Sequence, residues 1–429
     1  MRRRELLGVI AAAAASRAGD AHGLGRTKLQ GSFEFSIPWK LSRIDPHDFT
    51  DPIAALFAPA IADTMFIDTR SGPQPALAQK LPEAESGGVK VLIRTGLRTA
   101  NNKALDSGDI LASIKRIKAR GGGVLFDGLE PAQVPGDPFA VFFKKTTVGA
   151  VRRALASPLA AILPRDFDPA QPDGTGALRA TFSGGSLRLE RNTNASMGPS
   201  FLDSIVVREA ADLRESLRDF DVGRHDLGWL GLGLGGRTDV QAFDLGSVGA
   251  FVLAATARAG ELAKPGNLQA LVDELPRPAL AGLGLGSLPA GSSNTTYDGP
   301  AIDLCVESSG HPASIAEAIA TVWSRTDHEV TVKKVSRDEL EARRARGDAM
   351  LSLHAVRGLD RIAVAMAALE GESRAAELAK GAALGPREAG KLLRVAFVGE
   401  LRVSGGRASR IHFKGLDRGG WDLGASTVR

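Results

Sequence analysis

The stretch Val89–Lys118, VKVLIRTGLRTANNKALDSGDILASIKRIK, decides the fold of this 429-residue chain. Every second residue at its start is β-branched and apolar, which is close to the pattern of a half-buried strand. A turn-prone patch follows at Asn101–Lys103, and Ser107 and Asp109 then stand where a helix would be capped. Isoleucines recur behind them at helical spacing, with basic residues on the other side. The stretch therefore predicts a strand, a turn and an amphipathic helix.

Composition limits the kind of protein that surrounds this stretch. Apolar residues make up 43% of the chain and charged residues 24%, as in soluble globular proteins, and the length suffices for two or three domains. The net charge is +5, but basic and acidic residues are interleaved, so nucleic acid is not an expected partner. Cys305 is the only cysteine, which excludes an internal disulfide and a multi-cysteine metal site.

The N-terminus is typical of an export signal. Arg2–Arg4 precede the short apolar run Leu6–Ala15, and small residues at Ser16–Ala18 suit a cleavage site. We predict a signal peptide over residues 1–21 that resembles the twin-arginine type, with general export and a disordered basic tail as alternatives. Since no cysteine follows the apolar run, no lipid anchor is expected. The mature protein is predicted to be soluble and periplasmic.

Segments on both sides of the opening stretch resemble, in order, the signature motifs of the periplasmic solute-binding proteins of the peptide- and nickel-binding class (extracellular solute-binding protein family 5). The opening stretch itself resembles that family's "LR-x-G" strand and "A-x-D-V-x-x-S-x-x-R" helix. The other segments are Ile44–His47 ("LDPH"), Ala62–Phe66 ("YE-x-L"), Pro75–Leu81 ("P-x-LAE-x-W", without the tryptophan), Ser157–Pro164 ("SP-x-A-x-I-x-P"), Gly174–Leu178 ("GTGPY", without the proline and tyrosine), Leu189–Asn192 ("L-x-RN") and Phe201–Ile205 ("YLDEI"). Each motif alone is weak, whereas their common order over most of residues 40–360 is specific.

The resemblance implies an α/β, two-lobe periplasmic-binding-protein fold (class II, cluster C type) with a ligand cleft between the lobes. We expect lobe I with an inserted subdomain over 31–235, lobe II over 236–390 and a return to lobe I over 391–429. The implied function is capture of a small, peptide-like or other ligand by lobe closure, and its delivery to the membrane permease of an ABC importer. A monomer without cofactor is expected. The alternative is a degenerate binding-protein fold that acts as a sensor or scaffold without transport.

The second half of the chain reads as α/β. Val248–Glu261 is predicted to be helical, and alternating strands and helices from Ile302 to Leu353 predict parallel pairing with crossover helices. The tail after Leu392 returns to strand-like alternation.

Six residues are candidates for ligand contact. Trp39 and Thr50 lie early in lobe I, and Trp229 falls where the family's chain crosses between lobes. The family binds a ligand amine through an acidic residue that follows a strand ending in Gly-Trp. In the matching segment here, His354 stands near the place of the tryptophan and Asp360 in the place of the acid, with Arg357 between them. The alternatives are tryptophans that only pack and a solvated loop. An aromatic content of 5% favours a small cleft, a non-peptide ligand or a degenerate site.

Enzyme signals are weak. Gly231, Gly233 and Gly236 satisfy G-x-G-x-x-G, but no helix is predicted directly after them, so we interpret the segment as a crossover. The seven histidines are dispersed and form no H-E-x-x-H motif. The sequence thus favours a protein that is not an enzyme and holds no metal, although an active site built from residues distant in sequence stays open.

Overall fold

The computed structural model describes residues 29–229, 237–289, 301–324, 329–417 and 419–429. The predicted signal peptide over 1–21 and the glycine motif at 231–236 lie outside these residues. The strands are β1 Ser32–Ile37, β2 Phe66–Thr69, β3 Gly72–Pro75, β4 Glu83–Glu85, β5 Gly88–Leu92, β6 Glu130–Val134, β7 Asp137–Lys144, β8 Leu178–Ser183, β9 Ser186–Arg191, β10 Ser204–Glu209, β11 Leu227–Trp229, β12 Val240–Ala255, β13 Leu285–Gly286, β14 Ile302–Glu307, β15 Val330–Val335, β16 Leu351–Val356, β17 Val395–Ala408, β18 Ile411–Gly415 and β19 Trp421–Val428. The helices are α1 Pro52–Ile61, α2 Ser107–Ile117, α3 Val148–Ala156, α4 Leu213–Asp221, α5 Asn267–Asp273, α6 Arg277–Ala281, α7 Gly310–Trp323, α8 Arg337–Arg346, α9 Ile362–Ala368, α10 Glu372–Lys380 and α11 Pro386–Gly390.

One long curled sheet connects two groups of strands, in the order β15-β14-β16-β12-β17-β11-β1-β10-β9-β8. We call the group β1 and β8–β11 lobe I, and the group β14–β16 with its helices lobe II. The strands β14, β15 and β16 pair in parallel, which confirms the prediction for this part of the chain. The strands β12 and β17 pair with each other along most of their length and belong to both groups. The predicted lobe boundaries near 235 and 390 therefore stay a prediction.

The helix predicted over Val248–Glu261 is wrong, because most of this segment belongs to strand β12. Phe251 and Leu253 face one hydrophobic core, whereas Val252 and Ala254 face another. A strand that is buried on both faces reads as a continuous apolar run, which periodicity alone does not distinguish from a buried helix.

The opening stretch forms β5, a turn and α2 as predicted, but the cap differs by one residue. Asp106, rather than Ser107, is the N-cap, and its carboxylate accepts a hydrogen bond from Gly108 N at 2.7 Å. The Asp109 carboxylate accepts one from Asp106 N at 2.9 Å, which closes a capping box. β5 and β7 pair beneath α2, and their apolar residues form a separate core in an inserted subdomain.

The family-like motifs contact one another across this region. Asp45 is buried and forms a two-point ion pair with Arg116 of α2, with distances of 2.6 and 2.8 Å. The Ser113 hydroxyl, one turn earlier, accepts a hydrogen bond from Leu163 N at 3.0 Å. Three segments that are far apart in sequence are thus joined by the polar residues of their motifs.

The Gly174–Leu178 segment packs backbone against backbone on the end of α1. A Cβ atom at Gly176 would lie 2.5 Å from Ala60 O, and one at Gly174 would lie 2.4 Å from Ile61 O. Only glycine permits this approach. Between the two glycines, the Thr175 hydroxyl donates to the half-buried carboxylate of Asp63 at 2.9 Å.

The first and last strands of the described chain meet in lobe I. Leu29 N donates to Phe201 O, and Phe201 N donates to Gly424 O, both at 3.1 Å. Gly31 lies against Val428, so that a Cβ atom at Gly31 would be 3.3 Å from the Val428 Cβ.

Candidate functional site

Two tryptophans meet where two parallel strands of lobe I end. β1 and β11 pair in parallel, with Phe35 opposite Leu227, so their carboxyl ends lie side by side. Trp39 follows β1 and Trp229 ends β11, and their ring centroids are 4.5 Å apart. Both indoles are fully buried. Ligands of sheet-based α/β folds typically bind beyond the carboxyl ends of strands, which makes this position a candidate site.

Lobe II contributes a histidine to the same place. His311 lies in the first turn of α7, and its backbone N donates to Pro38 O at 3.0 Å. Its ring centroid is 5.3 Å from that of Trp39 and 6.1 Å from that of Trp229. Phe251 of β12 packs edge-on against the imidazole at 5.3 Å. We call Trp39, Trp229, Phe251 and His311 the seam cluster, because it joins the two lobes.

The lobes approach each other closely beside the seam cluster. A Cβ atom at Gly310, the first residue of α7, would lie 2.2 Å from Ala211 O of lobe I. A side chain at this position would therefore push the start of α7, and His311 with it, away from lobe I.

His311 is neutral in this structure. Its Nε2 lies 2.7 Å from Leu283 O, and since a carbonyl only accepts, Nε2 must carry the proton. Nδ1 is then a free acceptor. Burial lowers the pKa of His311 from 6.5 to about 4, against an opposing contribution from the hydrogen bond to Leu283. The imidazole is thus uncharged at physiological pH.

Three polar atoms of the seam cluster have no hydrogen-bond partner among the described residues: Trp39 Nε1, Trp229 Nε1 and His311 Nδ1. All three atoms are inaccessible to solvent. An unpaired buried donor or acceptor costs about 1–3 kcal/mol, and three on touching side chains are unusual in a native core. The seam cluster therefore has the hydrogen-bonding capacity of a site that a bound molecule would complete.

A second contact between the lobes involves Thr50. Arg337, at the start of α8, pairs with Asp48 at 3.0 Å and with Asp51 at 3.1 Å, and its Nη2 donates to the Thr50 hydroxyl at 3.2 Å. Burial lowers the pKa of Arg337, but Asp51, Asp48 and Glu307 raise it by a larger amount, so this guanidinium stays charged. The groups around Thr50 thus bind one another across the lobes.

Arg357 is buried at the same contact and bonds to backbone of lobe I. Its backbone N donates to Phe49 O at 2.8 Å. Its guanidinium donates to the carbonyl oxygens of Asp48 at 3.2 Å and Ala54 at 3.3 Å, and also to that of Pro46. Burial lowers its pKa to about 10, which leaves it protonated at neutral pH. In this conformation the Arg357 guanidinium donates to the protein's own carbonyl groups rather than to a ligand carboxylate.

His354 and Asp360 lie apart from both contacts. His354 is buried, with Nε2 at 2.8 Å from the Ser352 hydroxyl and Nδ1 at 3.4 Å from a Glu341 carboxylate oxygen. This order of groups resembles a hydrolase triad, but Ser352 is fully buried in the central sheet, where no substrate reaches it. The Asp360 carboxylate is 61% exposed and lies 3.6 Å from Arg361.

Other kinds of site find little support in the part of the chain that the structure describes. No group of three or more His, Cys, Asp or Glu side chains is arranged there to hold a metal ion. Within the same ranges, no helix has the length and apolar character needed to cross a membrane. One surface pocket of about 150 Å³ is lined by residues that include Asn101 and Asp173, and another of about 470 Å³ by residues that include Glu317 and Val332. No residue of the seam cluster lines either pocket.

The sequence matches no known family model and no curated protein. Solved structures nevertheless match nearly the whole chain. The oligopeptide-binding protein AppA from Bacillus subtilis, in complex with a nonapeptide, has a TM-score of 0.66 at 12% identity, covering 94% of this chain and 100% of that one. NikA from Staphylococcus aureus, in complex with Ni(L-His)2, has a TM-score of 0.68 at 14% identity, covering 93% and 100%. The PBP AgaA from A. tumefaciens R10, in complex with agropinic acid, has a TM-score of 0.67 at 14% identity, covering 93% and 99%.

These similarities confirm the predicted α/β, two-lobe periplasmic-binding-protein fold. They also confirm, at the level of the fold, the resemblance seen in the sequence motifs. At 12–14% identity, these similarities establish the fold of this chain but do not identify its ligand.

The six predicted site residues fall into separate places. The structure brings Trp39 and Trp229 together in the seam cluster, and Thr50 and Arg357 together at the second lobe contact. It leaves His354 in its own buried group and Asp360 at the surface, and ligand contact by each of the six stays a prediction. Sequence reasoning missed His311, which it counted only among dispersed histidines. The available signal was its position in the first turn of a helix directly after a buried strand.

Proposed function

We propose that this chain is a solute-binding protein, a shortened and divergent relative of the peptide- and nickel-binding class. It captures a small ligand between its lobes and delivers it to the permease of an ABC importer. The observation that carries the proposal is the seam cluster, in which both lobes of a binding-protein fold present unpaired polar atoms to one another. The neighbours in complex with a nonapeptide, with Ni(L-His)2 and with agropinic acid support a ligand role for this fold.

The physical reason is the coupling between ligand binding and closure. A ligand shifts a protein toward the conformation to which it binds more tightly, so a closing protein needs ligand contacts from both lobes. Trp39 and Trp229 come from lobe I and His311 from lobe II, which meets this requirement. A ligand that satisfies their three unpaired atoms would remove the free-energy cost of leaving them unpaired.

We further propose that residues 1–21 direct export and that the mature protein works as a periplasmic monomer. The lobes are assigned to 31–235, 236–390 and 391–429, with β12 and β17 as the connecting strands. Mass spectrometry of the protein from the periplasm of the expressing cell tests the first part: the expected mass lacks residues 1–21. A protein that keeps these residues and stays in the cytoplasm contradicts it.

Native mass spectrometry of the purified mature protein, followed by thermal unfolding with a ligand panel, tests the binding function. The panel contains short peptides, nickel–histidine complexes, opines and uncharged small molecules. We expect either a retained small molecule or a rise in Tm for one class, since a ligand that binds only the folded state stabilises it by mass action. No retained mass and no shift over the whole panel would contradict the proposal.

The second candidate is a sensor or scaffold without transport. It is favoured by Arg337 and Arg357, which hold the lobes together through the protein's own carboxylates and carbonyls. Affinity purification from the native cell distinguishes the two functions. A stable protein partner that is not a permease, with no ligand in the seam, supports the sensor or scaffold.

A further inference from the structure

We propose that the seam cluster selects an uncharged ligand that carries both hydrogen-bond acceptors and a donor on a ring or flat framework, and rejects zwitterionic peptides. This inference rests on the proposed function and specifies its substrate class. Amide and hydroxyl groups both have the required chemistry, and the experiment below separates them.

The unpaired atoms of the seam cluster determine which groups a ligand must carry. The indole nitrogens of Trp39 and Trp229 are donors only, so each requires an acceptor on the ligand. His311 Nδ1 is an acceptor, because the proton lies on Nε2 toward Leu283 O, and it requires a donor. Two acceptors and one donor within a small area describe an amide, a lactam or adjacent hydroxyl groups. A carboxylate supplies acceptors but leaves Nδ1 unpaired.

The described contacts of the seam cluster include no charged side chain. The described contacts of these side chains are aromatic rings and the backbone of Pro38 and Leu283. A charged group buried here would lose its hydration without gaining an ion pair, which is strongly unfavourable. The two arginines of the second lobe contact, Arg337 and Arg357, are already bound to lobe I.

The rings of Trp39 and Trp229 fill the seam between the lobes. They are tilted by 57° with centroids 4.5 Å apart, and both side chains are fully buried. A ligand therefore enters only when the lobes separate, and it replaces ring–ring contacts with contacts to its own faces. Flat or ring-shaped molecules replace them best, because they stack on indole.

Matched ligands test the charge preference. A cyclic dipeptide and the linear dipeptide of the same two residues share their side chains, but only the linear form is a zwitterion. A neutral disaccharide provides the hydroxyl arm. Binding is measured with the mature protein by calorimetry and by thermal shift.

We expect the cyclic dipeptide or the disaccharide to bind at least about tenfold more tightly than the linear dipeptide, the difference expected when buried polar groups are left unpaired. Equal or tighter binding of the linear dipeptide, or of a charged nickel complex, overturns the inference but leaves the solute-binding function standing. No binding by any of these ligands, together with silence over the wider panel, defeats the proposed function itself.

Three tryptophan-to-phenylalanine variants test the location. Trp39→Phe and Trp229→Phe keep a ring and remove one unpaired donor each, so ligand affinity should fall about tenfold in each. Trp421→Phe is the matched control, because Trp421 is equally buried but its Nε1 already donates to Leu56 O at 2.7 Å. It should lower the Tm of the empty protein and leave affinity unchanged. Unchanged affinity in both seam variants would overturn the assignment of the ligand to this cluster.

Discussion

The hydrogen bonding of polar groups inside the protein differs between two regions of this molecule. In the motif-bearing part of lobe I, Asp45 is paired with Arg116, and Asp63 accepts hydrogen bonds from Thr175 and from Ser196 at 2.6 Å. Unpaired atoms occur there too, but on side chains such as His47, whose other nitrogen contacts Ala161 O at 2.8 Å. In the seam cluster, by contrast, three unpaired atoms lie on side chains in mutual contact.

This contrast separates a structural role from a binding role. A network whose members are satisfied stabilises one arrangement, whereas a concentration of unsatisfied groups carries an energetic cost that a second molecule removes. Lobe I's motif segments therefore behave as structural joints. The seam instead holds the unpaired donors and acceptor that the proposed ligand would satisfy.

The largest effect is expected for Gly176→Ala in the motif region. The added methyl group would collide with the backbone of α1, which cannot move without displacing the joints around it. We expect a loss of about 3 kcal/mol or more in the free energy of unfolding, or no folded protein. Gly149→Ala is the control, since it lies in α3 with nothing within 4 Å of the added atom and should stabilise by up to about 1 kcal/mol. Urea unfolding compares the two, and equal effects would refute the close approach.

The next effect is a loss of folding stability at low pH. Each of the two regions contains one buried histidine that contributes to it. Burial lowers the pKa of both His47 and His311 to about 4 from 6.5. Below pH 6.5 the unfolded chain takes up protons that the folded chain refuses, so stability should fall as the pH drops from about 6.5 to about 4. The loss should be on the order of 3 kcal/mol for each histidine.

Variants separate the two contributions. His311→Gln should remove its part of this pH dependence and keep that of His47, with the reverse for His47→Gln, as measured by urea unfolding at several pH values. A pH dependence that is identical in all three proteins would show that neither histidine is buried in the neutral form.

A smaller effect on stability is expected at the tryptophans, whose indole donor is paired in Trp421 and unpaired in Trp39 and Trp229. Tryptophan-to-phenylalanine changes remove the same volume at Trp421, Trp39 and Trp229, so the difference between them isolates the hydrogen bond. Trp421→Phe should cost about 1 kcal/mol more than either seam variant in the absence of ligand. Equal losses in chemical denaturation would mean that the seam donors do have partners in solution.

The smallest effect is expected at Asp360. Its φ of +127° lies in a region that favours glycine, so Asp360→Gly should stabilise the protein by about 1 kcal/mol. Asp360→Asn, which keeps the Cβ atom, is the control and should change stability little. If Asp360 binds a ligand amine, both variants lose affinity; if the seam cluster is the site, neither does. Thermal unfolding and calorimetry record the two properties separately.

The sequence predicts much of the fold because its motifs are local and carry their own geometry. The capped helix at Ser107–Ile117 and the parallel strands of lobe II follow from patterns within a few residues. β12 escaped prediction since both of its faces are buried, and sequence periodicity records only the contrast between two faces.

The seam could be predicted only in part. Trp39 is a candidate because it lies early in lobe I, and Trp229 because it falls where the family's chain crosses between lobes. Nothing local in the sequence indicates that their rings meet at 4.5 Å. His311 is more than 80 residues further along the chain than Trp229, and its place depends on how α7 docks on lobe I. Contacts between lobes come from tertiary geometry, and a single sequence does not contain a local sign of them.

The meeting of the first and last strands has a consequence for protein engineering. Because Gly31 lies against Val428, a short glycine-rich linker could join residues 29 and 429 without disturbing lobe I. New termini could open at the β6–β7 turn, where Gly136 has open space around it. Both ends of such a circular permutant would lie in the inserted subdomain. A fluorescent reporter could be fused there, at a sequence position distant from β1 and β19.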